Sequence, residues 1–172
     1  MKNTFIIIAI FSLASFASAQ VAIGKENING TSTLLDFDDA STNFKGIILP
    51  ALDATPTLTS VNNGTFLFDK SDNKIKMYEN GIWVALSDAG DSTQIETNNS
   101  VESASNQGVI IGATSSSAIG VLVLESEDKA LILPKISNAH TTVKNPYPGM
   151  ICYDTVSKKL AIFDGNFWNY WK

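Results

Sequence analysis

The feature that most constrains this chain is an internal repeat. Residues 64–83 and residues 149–168 match at a constant offset of 85 residues without a gap. Gly64 and Trp83 fall on Gly149 and Trp168, and apolar residues fall on apolar residues between them. A self-match at a fixed period indicates that one supersecondary unit occurs twice. We therefore expect two copies of the same local fold.

Each copy has the alternating pattern of a half-buried antiparallel sheet. Ile75 and Met77 share one face of the middle strand, while Lys74 and Lys76 share the other. Asn-Gly at residues 80–81 predicts a tight turn, because both residue types tolerate positive φ. The sequence thus predicts a mostly β protein with two related antiparallel β-meander repeats joined by a polar linker. The equivalent strand of the second copy, residues 159–163, is less polar, so we expect both of its faces to be covered.

Composition divides the chain into four parts. Residues 1–19 combine an early lysine, an apolar run and an Ala-Ser-Ala site, which is the pattern of a signal peptide. The apolar run is shorter than the roughly 20 residues that a membrane helix needs. We therefore expect cleavage before Gln20, no membrane span after cleavage, and export to the periplasm, the cell surface or the medium. The first repeat is placed at residues 20–86, the linker at 87–108 and the second repeat at 109–172, with the polar linker flexible or draped on the surface.

Repeated glycines, prolines and tryptophans are predicted to anchor the two copies. The segment KGIILP at residues 45–50 matches KALILP at residues 129–134. Proline cannot donate to a strand ladder, so Pro50 and Pro134 are expected to end short strands. The predicted structural anchors are Trp83, Trp168, Gly64, Gly149, Pro50 and Pro134.

The charge pattern argues against nucleic-acid partners. The chain carries 12 basic and 17 acidic residues, a formal net charge of −5, and every basic residue is a lysine. Arginine is the preferred side chain for bidentate phosphate recognition. An acidic chain without arginine is therefore not expected to bind nucleic acid or an anionic membrane surface.

These blocks resemble a known repeat. An Ile-Gly start, Leu-Asp-Phe at residues 35–37, Lys-Gly-x-x-x-Pro at residues 45–50 and Asn-Gly-x-Trp at residues 80–83 are similar to repeats in secreted Bacteroidetes surface proteins. Some of those proteins resemble phage tail-fibre stalks. The resemblance implies an exported, non-catalytic structural or adhesion protein, at the cell surface or associated with a fibre. It also implies that the partner is a second copy of the chain, in a homo-oligomer, or a larger surface or fibre protein. The second copy departs from the family pattern, because Ala130 replaces the family glycine.

Residues suited to catalysis or metal binding are few. His140 is the single histidine and Cys152 the single cysteine, so neither a two-histidine site nor an internal disulfide can form. Asp69, Asp72 and Asn73 offer oxygen atoms in a turn, but these residue types commonly serve turn geometry itself. We predict no enzyme activity, no cofactor and no metal. The segments at residues 91–93 and 154–156 resemble the short Asp-Ser/Thr-apolar acceptor of O-glycosylation in the Bacteroidetes periplasm, which makes Ser92 and Thr155 candidate glycosylation sites.

The best candidate for a ligand or interface site is the aromatic C-terminus. Trp168, Tyr170 and Trp171 lie close together, beside the polar residues Asn166 and Asn169. Aromatic faces of this kind stack on sugars, dock on other chains or fill a core. The alternative function is therefore a carbohydrate-binding module that uses this aromatic face.

Overall fold

The computed structural model describes residues 20–96 and 108–171. In the first repeat, which we call copy one, the strands are β1 (Val21–Ile23), β2 (Thr33–Phe37), β3 (Ile47–Ile48), β4 (Ala51–Leu52), β5 (Phe66–Asp69), β6 (Lys74–Glu79) and β7 (Ile82–Ala85), with a 3-10 helix at Ser60–Asn62. In the second repeat, copy two, they are β8 (Val109–Ile111), β9 (Leu122–Leu124), β10 (Ala130–Leu131), β11 (Lys135–Ile136), β12 (Met150–Asp154), β13 (Lys159–Phe163) and β14 (Trp168–Trp171), with helix α1 at Ala139–Thr142.

The two antiparallel meanders have the same construction, which confirms the predicted fold class. Strands β5, β6 and β7 are hydrogen-bonded neighbours, as are β12, β13 and β14. The registers agree, because Phe68 pairs with Ile75 and Tyr153 pairs with Leu160. Each meander is entered through a glycine with positive φ, +91° at Gly64 and +85° at Gly149. Such a backbone favours glycine over residues with a Cβ atom.

The copies exchange one strand each. Strand β3 of copy one pairs antiparallel with β12 of copy two, and β10 of copy two pairs in parallel with β2 of copy one. Strands β3 and β10 are equivalent, since they belong to the matched segments 45–50 and 129–134. The two meanders are thus tied together by backbone pairing, and they are stacked like successive units of a β-solenoid.

The core has two apolar clusters on opposite faces of the β12–β13 pair. One face carries Cys152 and Ala161 and packs against α1. The other face carries Ile151 and Ile162 and packs against Phe68, Ile75 and Leu86 of copy one. The middle strand β13 is therefore covered on both sides, as its low polarity predicted, and Ala161 and Ile162 are both fully buried.

Each proline follows a short strand and leads directly into the next one. The Pro50 carbonyl accepts a hydrogen bond from the Phe68 N–H (2.8 Å), and the Pro134 carbonyl accepts one from the Tyr153 N–H (2.9 Å). Proline lacks an amide donor but keeps its acceptor, so it fits between β3 and β4 and between β10 and β11. The chain bends there and begins a parallel pairing with the meander.

The described part of the linker lies on the surface of the meanders. Gly90 N–H donates to the Asn73 carbonyl (2.8 Å), and Asp91 N–H donates to the Asp164 carbonyl (2.9 Å). Ile95 packs against the cluster between the two sheets. Residues 97–107 lie outside the described residues. Within residues 20–96 and 108–171, no helix has the length and apolar character needed to cross a bilayer.

Candidate assembly surfaces

One face of copy two exposes positions that are buried in copy one. Phe68, Ile75 and Leu86 are 0%, 0% and 4% exposed, because the copy-two sheet covers them. Their equivalents at the 85-residue offset are Tyr153, Leu160 and Trp171. Tyr153 is 36% exposed, Trp171 is 39% exposed and Leu160 is half-buried. We call Tyr153, Leu160 and Trp171 the open strip, in which Leu160 packs against the cluster between the two sheets while Tyr153 and Trp171 stay exposed on the same face of copy two.

The predicted aromatic site is divided between the two faces of β14. Trp168 and Tyr170 pack partly buried against the cluster beside α1. Trp171 points to the opposite face, because neighbouring side chains of a strand alternate, and it lies opposite Leu160 in the register. The structure therefore does not bring Trp168, Tyr170 and Trp171 onto one surface. The carbohydrate-binding alternative stays a prediction from the sequence.

The tryptophans predicted as repeat anchors are both half-buried and both pair with an aromatic ring. Trp83 lies 5.2 Å from Tyr78, and Trp168 lies 5.5 Å from the equivalent Phe163, between ring centroids. Both pairs are tilted, at 59° and 48°, which is a favourable arrangement for aromatic quadrupoles. In copy one the Trp83 Nε1–H also donates to the Pro56 carbonyl (3.1 Å).

A buried aspartate ends the first meander strand in each copy. Asp69 and Asp154 are both 1% exposed. Burial raises the pKa of the Asp69 carboxyl, but hydrogen bonds from Lys76 and Ser71 outweigh burial and hold that pKa below its usual range. In Asp154 the same balance is reached with backbone N–H donors, chiefly from Ser157, Val156 and Ala139, and its pKa is also lowered.

A lysine binds the carboxylate oxygen atoms at the turn between β5 and β6. Lys76 Nζ lies 2.7 Å from Asp69 Oδ2 and 2.7 Å from Asp72 Oδ2. The ammonium therefore takes the place between the two carboxylates that a calcium ion would need. Among the described residues, no group of three or more potential metal-ligating side chains converges.

His140 and Cys152 lie near one another but in different surroundings. His140 is exposed on α1, and its Nδ1 lies 3.3 Å from the Tyr170 hydroxyl. Tyr170 also donates to Asp154 Oδ2 (3.4 Å). Cys152 is fully buried, and burial together with the Asp154 charge raises the pKa of its thiol to about 12. A thiol of this kind stays protonated at neutral pH, which makes it a weak nucleophile.

The candidate glycosylation sites differ in exposure. Thr155 is exposed in the turn between β12 and β13, whereas Ser92 is half-buried on the docked part of the linker. Whether either side chain is modified stays a prediction.

The open strip was missed at the sequence level, although one signal for it was present. The 85-residue offset names Tyr153, Leu160 and Trp171 as equivalents of Phe68, Ile75 and Leu86. It does not say which copy is covered by the other, because that depends on pairing between the copies.

Comparison with known proteins places the C-terminal part of the chain beside a family of fibre proteins. Residues 95–172, which include all of copy two, match the family model described as "Phage tail like trimerisation region". No curated protein and no solved structure matches the chain. The family describes the assembly of chains and not a reaction. The C-terminal part of this protein is therefore similar to a trimerisation region of a phage tail-like fibre.

Proposed function

We propose that this protein is an exported, non-catalytic structural protein of the cell surface or of a fibre, and that copy two joins three chains. The match of residues 95–172 to a trimerisation region is the observation that carries this proposal. The open strip supports it, because Tyr153 and Trp171 leave large apolar side chains exposed on the face that packs on copy one, and exposed apolar surface of this kind is typical of a protein contact.

The position of the open strip fits an assembly of three sheets. In one chain, the strip Phe68, Ile75 and Leu86 of copy one is buried against Ile151 and Ile162 of copy two. In copy two, Leu160 packs against the cluster between the two sheets, whereas Tyr153 and Trp171 on the same face stay 36% and 39% exposed. Fully burying an exposed large apolar side chain is worth about 1.5–3 kcal/mol, so covering the exposed parts of Tyr153 and Trp171 contributes a fraction of that value per residue to association.

Sedimentation equilibrium of residues 20–172 tests the assembly. We expect a mass three times that of one chain at micromolar concentration. Trp171→Lys is expected to shift the equilibrium to single chains, because a charge would be buried in the contact. Val156→Lys is the matched control, since Val156 is 63% exposed in the turn before β13 and outside the open strip. A single-chain mass for the unchanged protein at all concentrations would refute the assembly.

Export has a separate test. The proposal that residues 1–19 are removed predicts that protein recovered from the cell envelope or the medium begins at Gln20. N-terminal sequencing measures this directly. Protein that begins at Met1 and stays in the cytoplasm would contradict export while leaving the assembly untouched.

A further inference from the structure

An open strand edge in copy two corresponds to a completed edge in copy one. Strands β1 and β2 pair in parallel, with Val21 opposite Leu35, and β8 and β9 pair in the same way, with Val109 opposite Leu122. The register thus makes Leu35 and Leu122 equivalent. In copy one the β1–β2 pair gains a third strand, β10, whereas β8–β9 has no third strand among the described residues.

The equivalent side chains of the two strand pairs also differ in burial. Leu34 and Leu35 are 2% and 1% exposed beneath the completed sheet. Their equivalents Val121 and Leu122 are 68% and 48% exposed. The copy-two edge therefore presents backbone groups that another strand pairs in copy one, beside apolar side chains that are more exposed than their copy-one equivalents.

The backbone groups at this edge are correctly oriented for pairing. Val109 N–H donates to the Val121 carbonyl (2.9 Å), so alternation directs the Leu122 carbonyl away from β8. In copy one the equivalent Leu35 carbonyl accepts from Ile132 N–H (3.0 Å). An incoming strand that supplies an N–H at the position of Ile132 would complete the edge in the same way.

The chain holds one further strand of the required kind, with its matching edge open. Ile48 is the equivalent of Ile132 in the segments 45–50 and 129–134. Leu49 N–H donates to the Gly149 carbonyl (3.0 Å), so β3 uses that edge for β12. Alternation directs the Ile48 N–H to the opposite edge, and the Ile48 side chain is 46% exposed.

We propose that β3 of a second copy of this chain adds in parallel to β9, with its Ile48 N–H donating to the Leu122 carbonyl. The molecule itself shows this pairing once, in β10 on β2. The contact joins two different surfaces, so it is head-to-tail, and it closes into a ring if the rotation between subunits permits. This inference rests on the proposed assembly of chains and identifies the strands that join them.

Within one chain β3 pairs with β12, so the equivalent pairing between chains would join β10 to β5 of a neighbouring chain. Ala130 in β10 opposes that pairing. The equivalent residue in β3 is Gly46, where a Cβ atom would lie 2.6 Å from the Ile151 carbonyl and 2.9 Å from the Met150 side chain. Ala130 carries that Cβ atom. The strand addition therefore uses the β3–β9 edge alone.

Cross-linking between two single-cysteine chains tests the contact. Ile48→Cys and Val121→Cys are made separately in a Cys152→Ala background, co-expressed and treated with a short bismaleimide. We expect a cross-linked pair when both variants are present and none when either is present alone, because the contact is head-to-tail. Cross-links in the Ile48→Cys protein alone would show a symmetric contact and overturn the proposal.

A backbone variant tests the hydrogen bond itself. Ile48→Pro removes an N–H that has no role in the β3–β12 pairing, so circular dichroism should be unchanged. The dissociation constant of each contact should rise up to about tenfold, as expected for losing one net hydrogen bond. Ile48→Ala keeps the N–H and is the matched control, with a smaller change expected.

Sedimentation separates this inference from the proposed trimer. A trimer without the mixed cross-link would overturn the β3–β9 pairing and leave the trimer standing. A mixed cross-link in species longer than three chains would support the pairing and contradict the trimer. A single-chain protein would overturn both.

Discussion

Copy one and copy two share the order of their strands but differ in what covers them. In copy one, Phe68 and Leu35 are buried by strands and side chains of copy two. In copy two, the equivalent Tyr153 and Leu122 are 36% and 48% exposed. The difference shows that these positions are covered inside the chain in copy one, while their equivalents in copy two stay partly exposed. Four predictions test this difference between the copies.

The largest effect is expected from truncating equivalent residues of the two strips. Phe68→Ala empties a fully buried site between the sheets and should lower the free energy of unfolding by about 3–5 kcal/mol. Tyr153→Ala should cost less than about 1.5 kcal/mol in the single chain but should weaken the assembly. Urea unfolding and sedimentation measure the two effects. Equal losses of stability would show that the copies are equally covered.

A smaller contrast is expected at the exchanged strands. Gly46→Ala places a Cβ atom 2.6 Å from the Ile151 carbonyl, so we expect a loss of about 1–3 kcal/mol from overpacking. The reverse change, Ala130→Gly, only adds backbone freedom and should cost about 0.5–1 kcal/mol. Thermal unfolding of both variants checks this order. If Gly46→Ala were neutral, the close approach of β3 to β12 would be wrong.

Acid is expected to weaken both copies through their buried aspartates. Asp36, Asp69 and Asp154 have pKa values below the ordinary 3.8 in the folded chain. The unfolded chain therefore binds protons first, and stability present above that value is lost as the pH falls through the folded pKa values. Urea midpoints measured from neutral pH down to the acid range should fall steadily below about pH 4–5. Replacing Asp69 and Asp154 by asparagine should flatten the curve, and an unchanged slope would contradict this assignment.

The smallest effect is expected at the tryptophan of copy one. Trp83→Phe keeps an aromatic ring beside Tyr78 but loses the Nε1–H bond to the Pro56 carbonyl. We expect a loss of about 0.5–1.5 kcal/mol, in the range of one net hydrogen bond. Chemical denaturation with tryptophan fluorescence gives the value. Stability equal to that of the unchanged protein would mean that this bond contributes nothing.

The local fold could be predicted because its signals lie close together in the chain. The alternation of Ile75 and Met77 and the Asn-Gly turn identify one meander, and the offset transfers it to the second. The exchange of β3 and β10 could not be predicted, because two-residue strands carry no information about a distant partner. One local signal was present: the position occupied by Gly46 beside β3 is occupied by Ala130 in β10, which indicates that the two equivalent strands pack against different neighbours.

The candidate site was predictable only in part, for a related reason. The aromatic residues of β14 were visible in the sequence, but their division between two faces follows from the path of the strand beside α1. The buried Asp69 and Asp154 were interpreted as turn residues, which they are, since Asp69 also bonds the Ser71 N–H (2.8 Å). The buried negative charge is compensated by Lys76 in copy one and by backbone N–H groups in copy two. No short sequence motif specifies either arrangement.

The pairing of Ile48 with Met150 has a consequence for the order of events during synthesis. These partners are about a hundred residues apart, so the pairing between the two copies forms only after the last strands are made, whereas the sheet β4–β7 can form from residues of copy one alone. The two halves of the chain therefore become one interlocked unit only when synthesis is nearly complete, although each meander is built from neighbouring residues.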